Sequence, residues 1–187
     1  VDAGKTTLSE GVLYTSGKLR KMGRVDNKNT YLDTNEIEKE RGITIFSKQA
    51  VFSYNDVNVT LLDTPGHIDF SAETERTLNV LDDAILVVSG IDSIQRHTIT
   101  LWNLLKKHNI PVFVFINKMD DEKANFHKVM DQLREKYGKV VAPFQVPMVE
   151  NYKMIGFIDV VGMRAKYFQD GPLRDEDIPA DMMAEVE

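Results

Sequence analysis

Apolar and polar positions change period along the chain, and each change marks an element. Between Lys5 and about Met22, Leu8, Val12, Leu13 and Leu19 fall roughly on one face, which predicts a helix with Gly23 as its stop. From Arg24 to Gly42 the chain is polar with little apolar period, the pattern of a long functional loop. Ile45–Tyr54 and Val57–Asp63 read as two strands joined at Asn55-Asp56, a hairpin signal. Asp63-Thr64-Pro65-Gly66-His67 breaks the pattern as a turn, and Ser71–Leu81 follows as a helix. Ala84–Ser89 and Ile110–Ile116 are short apolar runs that read as buried strands. Ile94–His108 and Asp121–Gly138 carry helical apolar stripes, the second through Phe126, Val129, Met130, Leu133 and Tyr137.

Buried strands alternating with helices predict an α/β fold with a mostly parallel sheet. The hairpin adds one antiparallel edge strand. Beyond Gly138 the texture becomes short strands, at Val140–Val146 and within Ile155–Phe168, and Ile178-Pro179-Ala180-Asp181 opens a helix. The expected division is residues 1–138 as one domain and 139–187 as the start of a small inserted α+β subdomain.

Composition narrows the function classes. With 42% apolar and 28% charged residues the chain is not disordered. Zero cysteines exclude disulfides and thiolate-held zinc or iron–sulfur sites. The apolar runs are far shorter than the roughly 20 residues a membrane helix needs, so no membrane partner is expected. The net charge of −6 sits in residues 169–187, which hold seven acids and one base. The rest is neutral and offers no broad footprint for DNA or RNA, and the acidic tail reads as a solvated surface.

Three short motifs carry the chemistry. Gly4-Lys5-Thr6-Thr7 opens the first helix in the manner of a phosphate-binding loop. Backbone N–H groups and the helix dipole would hold phosphates, Lys5 would neutralise the β- and γ-phosphates, and the Thr6 hydroxyl would ligate Mg²⁺. The same tripeptide also begins ordinary helices. Only part of the loop pattern is present, so its first positions and the feeding strand are expected ahead of Val1. Asp63-Thr64-Pro65-Gly66 follows a strand. Asp63 there suits Mg²⁺, through water, and the Gly66 N–H suits a γ-phosphate; a plain turn with Asp63 as a cap is the simpler alternative. In Asn117-Lys118-Met119-Asp120, Asp120 can accept from two guanine nitrogens, and Asn117 can meet the base edge and tie the loop to Gly4. Adenine has no such donor pair, so a carboxylate there selects guanine; the other reading is a polar loop capping the next helix.

Together with Glu38-Lys39-Glu40-Arg41-Gly42-Ile43-Thr44-Ile45, these segments resemble the GTP-binding domain of translational GTPases, elongation factor G and its relatives in particular. The resemblance covers Val1–Thr7, Asp63–Phe70 and Asn117–Asp120 as well, in matching order and spacing. It implies a three-layer P-loop GTPase domain that binds GTP or GDP, with Ala3, Gly4, Lys5, Thr6, Thr7, Gly66, Asn117, Lys118 and Asp120 at the nucleotide. It implies Mg²⁺ held by Thr6, Thr44 and Asp63, and switches at Arg24–Lys48 and Asp63–Glu75. His67 would orient the attacking water, Val1 and Ile43 would form an apolar gate beside it, and Asp2 would stabilise transition-state charge. The first strand, central to this fold, is absent from the chain, and no fifth base-contacting motif precedes Glu187. A cytoplasmic protein several times longer is therefore expected, meeting ribosomal RNA and proteins through later domains. The piece itself is expected to hold nucleotide weakly or not at all, to leave its first loop poorly ordered, and to be open to self-association. Gly156–Ala165 resembles the insert of elongation factor G, which favours a translocase over the ribosomal-protection proteins that release tetracycline. A GTP-dependent ribosome-binding module without hydrolysis is a third possibility.

Overall fold

The computed structural model describes residues 2–23, 30–32, 48–65, 76–168 and 171–186. They form two compact units, one of residues 1–87 and 95–115 and the other of 88–94 and 116–187.

In the first unit, helix α1 spans Lys5–Thr15. It ends well short of Met22 because Gly17 takes a left-handed φ of 78° and reverses the chain. The Leu19 N–H then donates back to the Leu13 carbonyl at 3.1 Å. Strands β1 (Lys48–Tyr54) and β2 (Val57–Asp63) pair antiparallel from Lys48 opposite Asp63 to Tyr54 opposite Val57. Asn55 and Asp56 both have positive φ (47° and 63°), the two-residue hairpin turn whose twist matches the strands, as the sequence predicts. Leu13, Leu32, Ala50 and Phe52 are buried together, flanked by Val12, Leu19, Val59 and Leu61, so α1 lies on the hairpin.

Strand β3 (Ala84–Ser89) pairs with β4 (Val112–Asn117), and helix α2 (Arg96–Lys107) connects them. The Ala84 N–H donates to the Pro111 carbonyl at 3.0 Å and the Gly90 N–H to the Asn117 carbonyl at 2.8 Å. Both strands therefore advance together, a parallel pair joined by a helical crossover. Leu78, Leu105 and Ile110 form the core here with Leu81, Ala84, Leu104 and Val112. The predicted helix Ser71–Leu81 is described only from Arg76, where residues 76–78 are helical.

The described strands match the expected sheet in part, with β3–β4 as its parallel pair. Among the described residues, β1–β2 and β3–β4 are separate two-stranded sheets, and the other pairings are antiparallel. Helical crossovers in the sequence signal parallel neighbours, but they do not say which strand edges share hydrogen bonds.

In the second unit, helix α3 spans Phe126–Tyr137. It starts five residues later than its apolar stripe suggests, because Asp121 Oδ1 takes the Lys123 N–H (2.8 Å) in a turn and Asn125 Oδ1 caps the helix through the Lys128 N–H (2.9 Å). A short 3₁₀ turn, Gly138–Val140, replaces the start of the strand expected at Val140. Strands β5 (Gln145–Glu150), β6 (Lys153–Asp159), β7 (Arg164–Tyr167) and β8 (Arg174–Glu176) follow as one antiparallel sheet. Val146, Met148, Ile158 and Ala165 are its core, and Phe126 of α3 with Met182 and Val186 of the last 3₁₀ turn pack against it. That packing groups α3 with the sheet in the second unit.

The acidic tail is more than a solvated surface. Asp175 accepts from Arg164 Nε at 2.6 Å and also pairs with Lys166, while Asp177 pairs with Arg164. Lys166 first, then Arg164, holds the Asp175 carboxyl below its usual range. These pairs run between β7 and β8, which is why the tail adds an edge strand that its charge run conceals.

Among the described glycines of the second unit, Gly156 has the least space for a side chain. A Cβ there would stand 2.2 Å from the Lys166 carbonyl oxygen of the neighbouring strand and 2.7 Å from Met148 Cε. Gly156→Ala is expected to cost the unit about 1–3 kcal/mol through forced overpacking. Urea unfolding followed by circular dichroism reads the cost, and an unchanged midpoint would contradict it.

Candidate functional site

The phosphate-loop residues and Asp63 lie in the first unit. Gly4 stands at the start of α1 with φ 88° and ψ 31°, a left-handed conformation that a side chain would oppose. Asp2, also at positive φ (54°), precedes it, so the chain turns sharply into the helix. No side chain caps this end and no acid stands in its first turn. Lys5 opens the helix, although a cation there opposes the helix dipole. An anion bound at that end would turn both features from costs into contacts, which is the fit test for a phosphate. Ala3 is buried, Gly4, Lys5 and Thr6 are half-buried, and Asp2 and Thr7 are exposed. Asp63 is 3% exposed at the carboxyl end of β2, the strand on which α1 packs. The structure thus brings Asp63 and the phosphate-loop helix into one packed unit.

The Asn117–Asp120 segment, expected to meet the base, lies in the second unit, at the end of β4. Lys118 takes a left-handed φ of 61°, strained for a long side chain and a frequent mark of functional loops. The loop is closed by the Asp121 N–H on the Lys118 carbonyl (3.3 Å) and the Ala124 N–H on the Asp121 carbonyl (3.0 Å). Capping of α3 falls to Asn125, outside the Asn117–Asp120 segment, so the alternative of that segment as the helix cap does not hold. Asp120 is exposed, and among the described residues its carboxylate has no partner. Asn117 is half-buried at the strand end.

Gly90 belongs to the same loop, and sequence reasoning passed over it. Its N–H donates to the Asn117 carbonyl and its carbonyl accepts from the Asn125 N–H at 3.0 Å. A Cβ there would stand 2.8 Å from Met119 Sδ, 3.1 Å from the Asn117 carbonyl oxygen and 3.3 Å from Ala124 Cβ. Gly90→Ala is expected to shift the loop at a cost of about 1–3 kcal/mol. GDP affinity should fall with it; equal affinity in a fluorescence titration would show that the loop tolerates the methyl group.

Val1, Ile43, Thr44, Gly66 and His67 lie outside the described residues. Among the described residues no group of three or more His, Cys, Asp or Glu could hold a metal. No helix among them is long and apolar enough to cross a membrane.

Residues 1–178 match the family model described as the elongation factor Tu GTP-binding domain. The chain is 40% identical over 186 residues to elongation factor G of Granulibacter bethesdensis, covering 97% of this chain and 27% of that protein. It is 40% identical over 191 residues to mitochondrial elongation factor G of Anopheles gambiae, covering 99% of this chain and 26% of that protein. Tetracycline resistance protein TetP of Clostridium perfringens is 49% identical over 145 residues, 78% of this chain and 22% of that protein. A solved crystal structure from Thermus thermophilus superposes with a TM-score of 0.91 at 29% identity, covering all of this chain and 28% of its own. The chain thus spans about a quarter of the length of these relatives. A bare helix start behind Gly4-Lys5-Thr6, a buried Asp63 at a strand end and an unengaged Asp120 agree with these matches: the chain is similar to elongation factor G and belongs to the elongation factor Tu GTP-binding domain family.

Proposed function

We propose that this chain binds GTP with Mg²⁺ and hydrolyses it to GDP and phosphate, and that hydrolysis drives a translation factor on the ribosome. The start of α1 carries the reading: left-handed Gly4, no side-chain cap, and Lys5 set against the dipole suit a phosphate. Ala3 to Thr7 would line the phosphates through backbone N–H groups and Lys5 Nζ. Asn117, Lys118 and Asp120 would hold the base. Thr6, Thr44 and Asp63 would hold Mg²⁺, which when bound draws negative charge from the phosphate oxygens.

The chain's own residues supply positioning rather than covalent chemistry. His67 would orient the attacking water, Val1 and Ile43 would keep other water out, and Asp2 would act on charge that develops at the phosphates. The Gly66 N–H would serve the γ-phosphate. This reading assigns no arginine to the transition-state charge, so the domain alone turns over slowly. The finer layout follows the same reading: a mostly parallel sheet with β1 at its antiparallel edge, and β5–β8 as an inserted subdomain.

A second reading has the same chemistry serve tetracycline resistance, and the 49% identity to TetP favours it. Elongation factor G matches cover nearly the whole chain, β5–β8 included, and favour the first.

Phosphate release from GTP and from ATP tests the proposal. Slow release from GTP alone is expected, on the order of 10⁻⁴ per second as for an unassisted GTPase, and faster release with ribosomes in a chain extended to its relatives' length. Equal release from ATP, or no effect of ribosomes on the extended chain, would overturn it.

A further inference from the structure

Glu10 is a carboxylate on α1 with no solvent exposure, five residues past Lys5. Burying an ionised carboxylate is costly unless its oxygens are satisfied, and among the described residues no Lys or Arg meets this one. Three backbone N–H groups satisfy it instead. Oε2 accepts from Gly23 at 3.1 Å; Oε1 accepts from Tyr31 at 2.6 Å and from Leu32 at 3.3 Å. Gly23 and Tyr31 flank residues 24–29, so one side chain holds both ends of that stretch. Leu32 is also locked by its own side chain, 3% exposed against Leu13, Ala50 and Phe52, and it is the last described residue before 33–47. That second stretch leaves at Lys48, opposite Asp63 in the hairpin register.

We propose that Glu10 is a positioning residue that couples the first switch to the nucleotide. Its carboxylate fixes the roots of residues 24–29 and the entrance to residues 33–47 on the same helix whose first turn carries the phosphate loop. A displacement of that helix end on exchange of GTP for GDP is thereby passed toward the sequence that bears Ile43 and Thr44. The inference rests on the reading of residues 24–48 as the first switch. The two oxygens divide the work, one per arm, so an amide in place of the carboxylate keeps the volume but can serve only one arm. Its NH₂ would face the N–H donors of the other.

Glu10→Gln tests this with two readouts. The first is hydrogen exchange at the Gly23, Tyr31 and Leu32 amides, which needs no nucleotide. The second is the affinity ratio of a non-hydrolysable GTP analogue to GDP. The expected result is faster exchange confined to one arm, with the analogue-to-GDP preference falling about 5- to 150-fold, the usual range of coupling between sites, while GDP affinity stays near wild type. Unchanged exchange, or a rise spread over the whole unit, would overturn the clamp; changed exchange with an unchanged ratio would overturn the coupling. If the wild-type chain binds neither nucleotide while the exchange effect stands, the GTPase reading fails and the coupling with it, leaving the clamp as a structural feature. Should the variant not fold, wild-type exchange decides: the three amides should be protected more with the analogue than with GDP, and equal protection would overturn the proposal.

Discussion

Asp120→Asn should weaken GDP binding by about 10²- to 10⁴-fold and shift preference to xanthosine diphosphate. The carboxylate is read as accepting from two guanine nitrogens, and hydrogen bonds to a charged partner are worth about 1.5–3 kcal/mol each. An amide offers one acceptor and one donor. Xanthine carries an oxygen where guanine carries its exocyclic amine, so the amide fits xanthine and faces guanine with a donor against a donor. Little of the loss should come from the fold, because Asp120 is exposed without a partner among the described residues and Asn125 caps α3. Competition against a fluorescent nucleotide measures both affinities. Unchanged GDP affinity would remove Asp120 from the base site.

His67→Ala should lower ribosome-stimulated turnover by about 10²- to 10⁴-fold, the usual weight of a group that handles the attacking water. Binding of a GTP analogue should stay within a few fold, because an interaction made only in the transition state lowers kcat without lowering ground-state affinity. The extended chain with ribosomes is the right system, since His67 is expected to act once the ribosome positions it. A loss of binding equal to the loss of turnover would make His67 a structural residue. Full turnover would leave the handling of water to some other group.

Motifs that depend on local backbone chemistry were legible in the sequence. Gly4 before a Lys at a helix start needs only three residues to be read, and its left-handed φ follows from them. The Asn55-Asp56 hairpin and strand Ala84–Ser89 were legible for the same reason: turn residues and apolar runs act within a few positions. Helix ends were less so. Apolar spacing carried α1 past Gly17 to Met22, because Leu19 packs into the same core after the helix has turned away. Strand β8 was hidden by its charge, since Arg164 and Lys166, which draw Asp175 and Asp177 to the sheet, lie about ten residues earlier. Glu10 left one faint sign, an acid three residues before Leu13 on the buried face of α1. Its partners are backbone N–H groups, which no residue type announces. Gly90 likewise matters through a loop nearly thirty residues away.

Guanine selectivity at the Asn117–Asp120 loop, joined to phosphate binding at α1, is the claim on which the rest depends. Calorimetric titration of the chain with GDP and with ADP, in Mg²⁺ buffer and up to millimolar nucleotide, tests it most directly. Saturable heat with GDP and none with ADP is the expected result. Equal heats with the two nucleotides would contradict it.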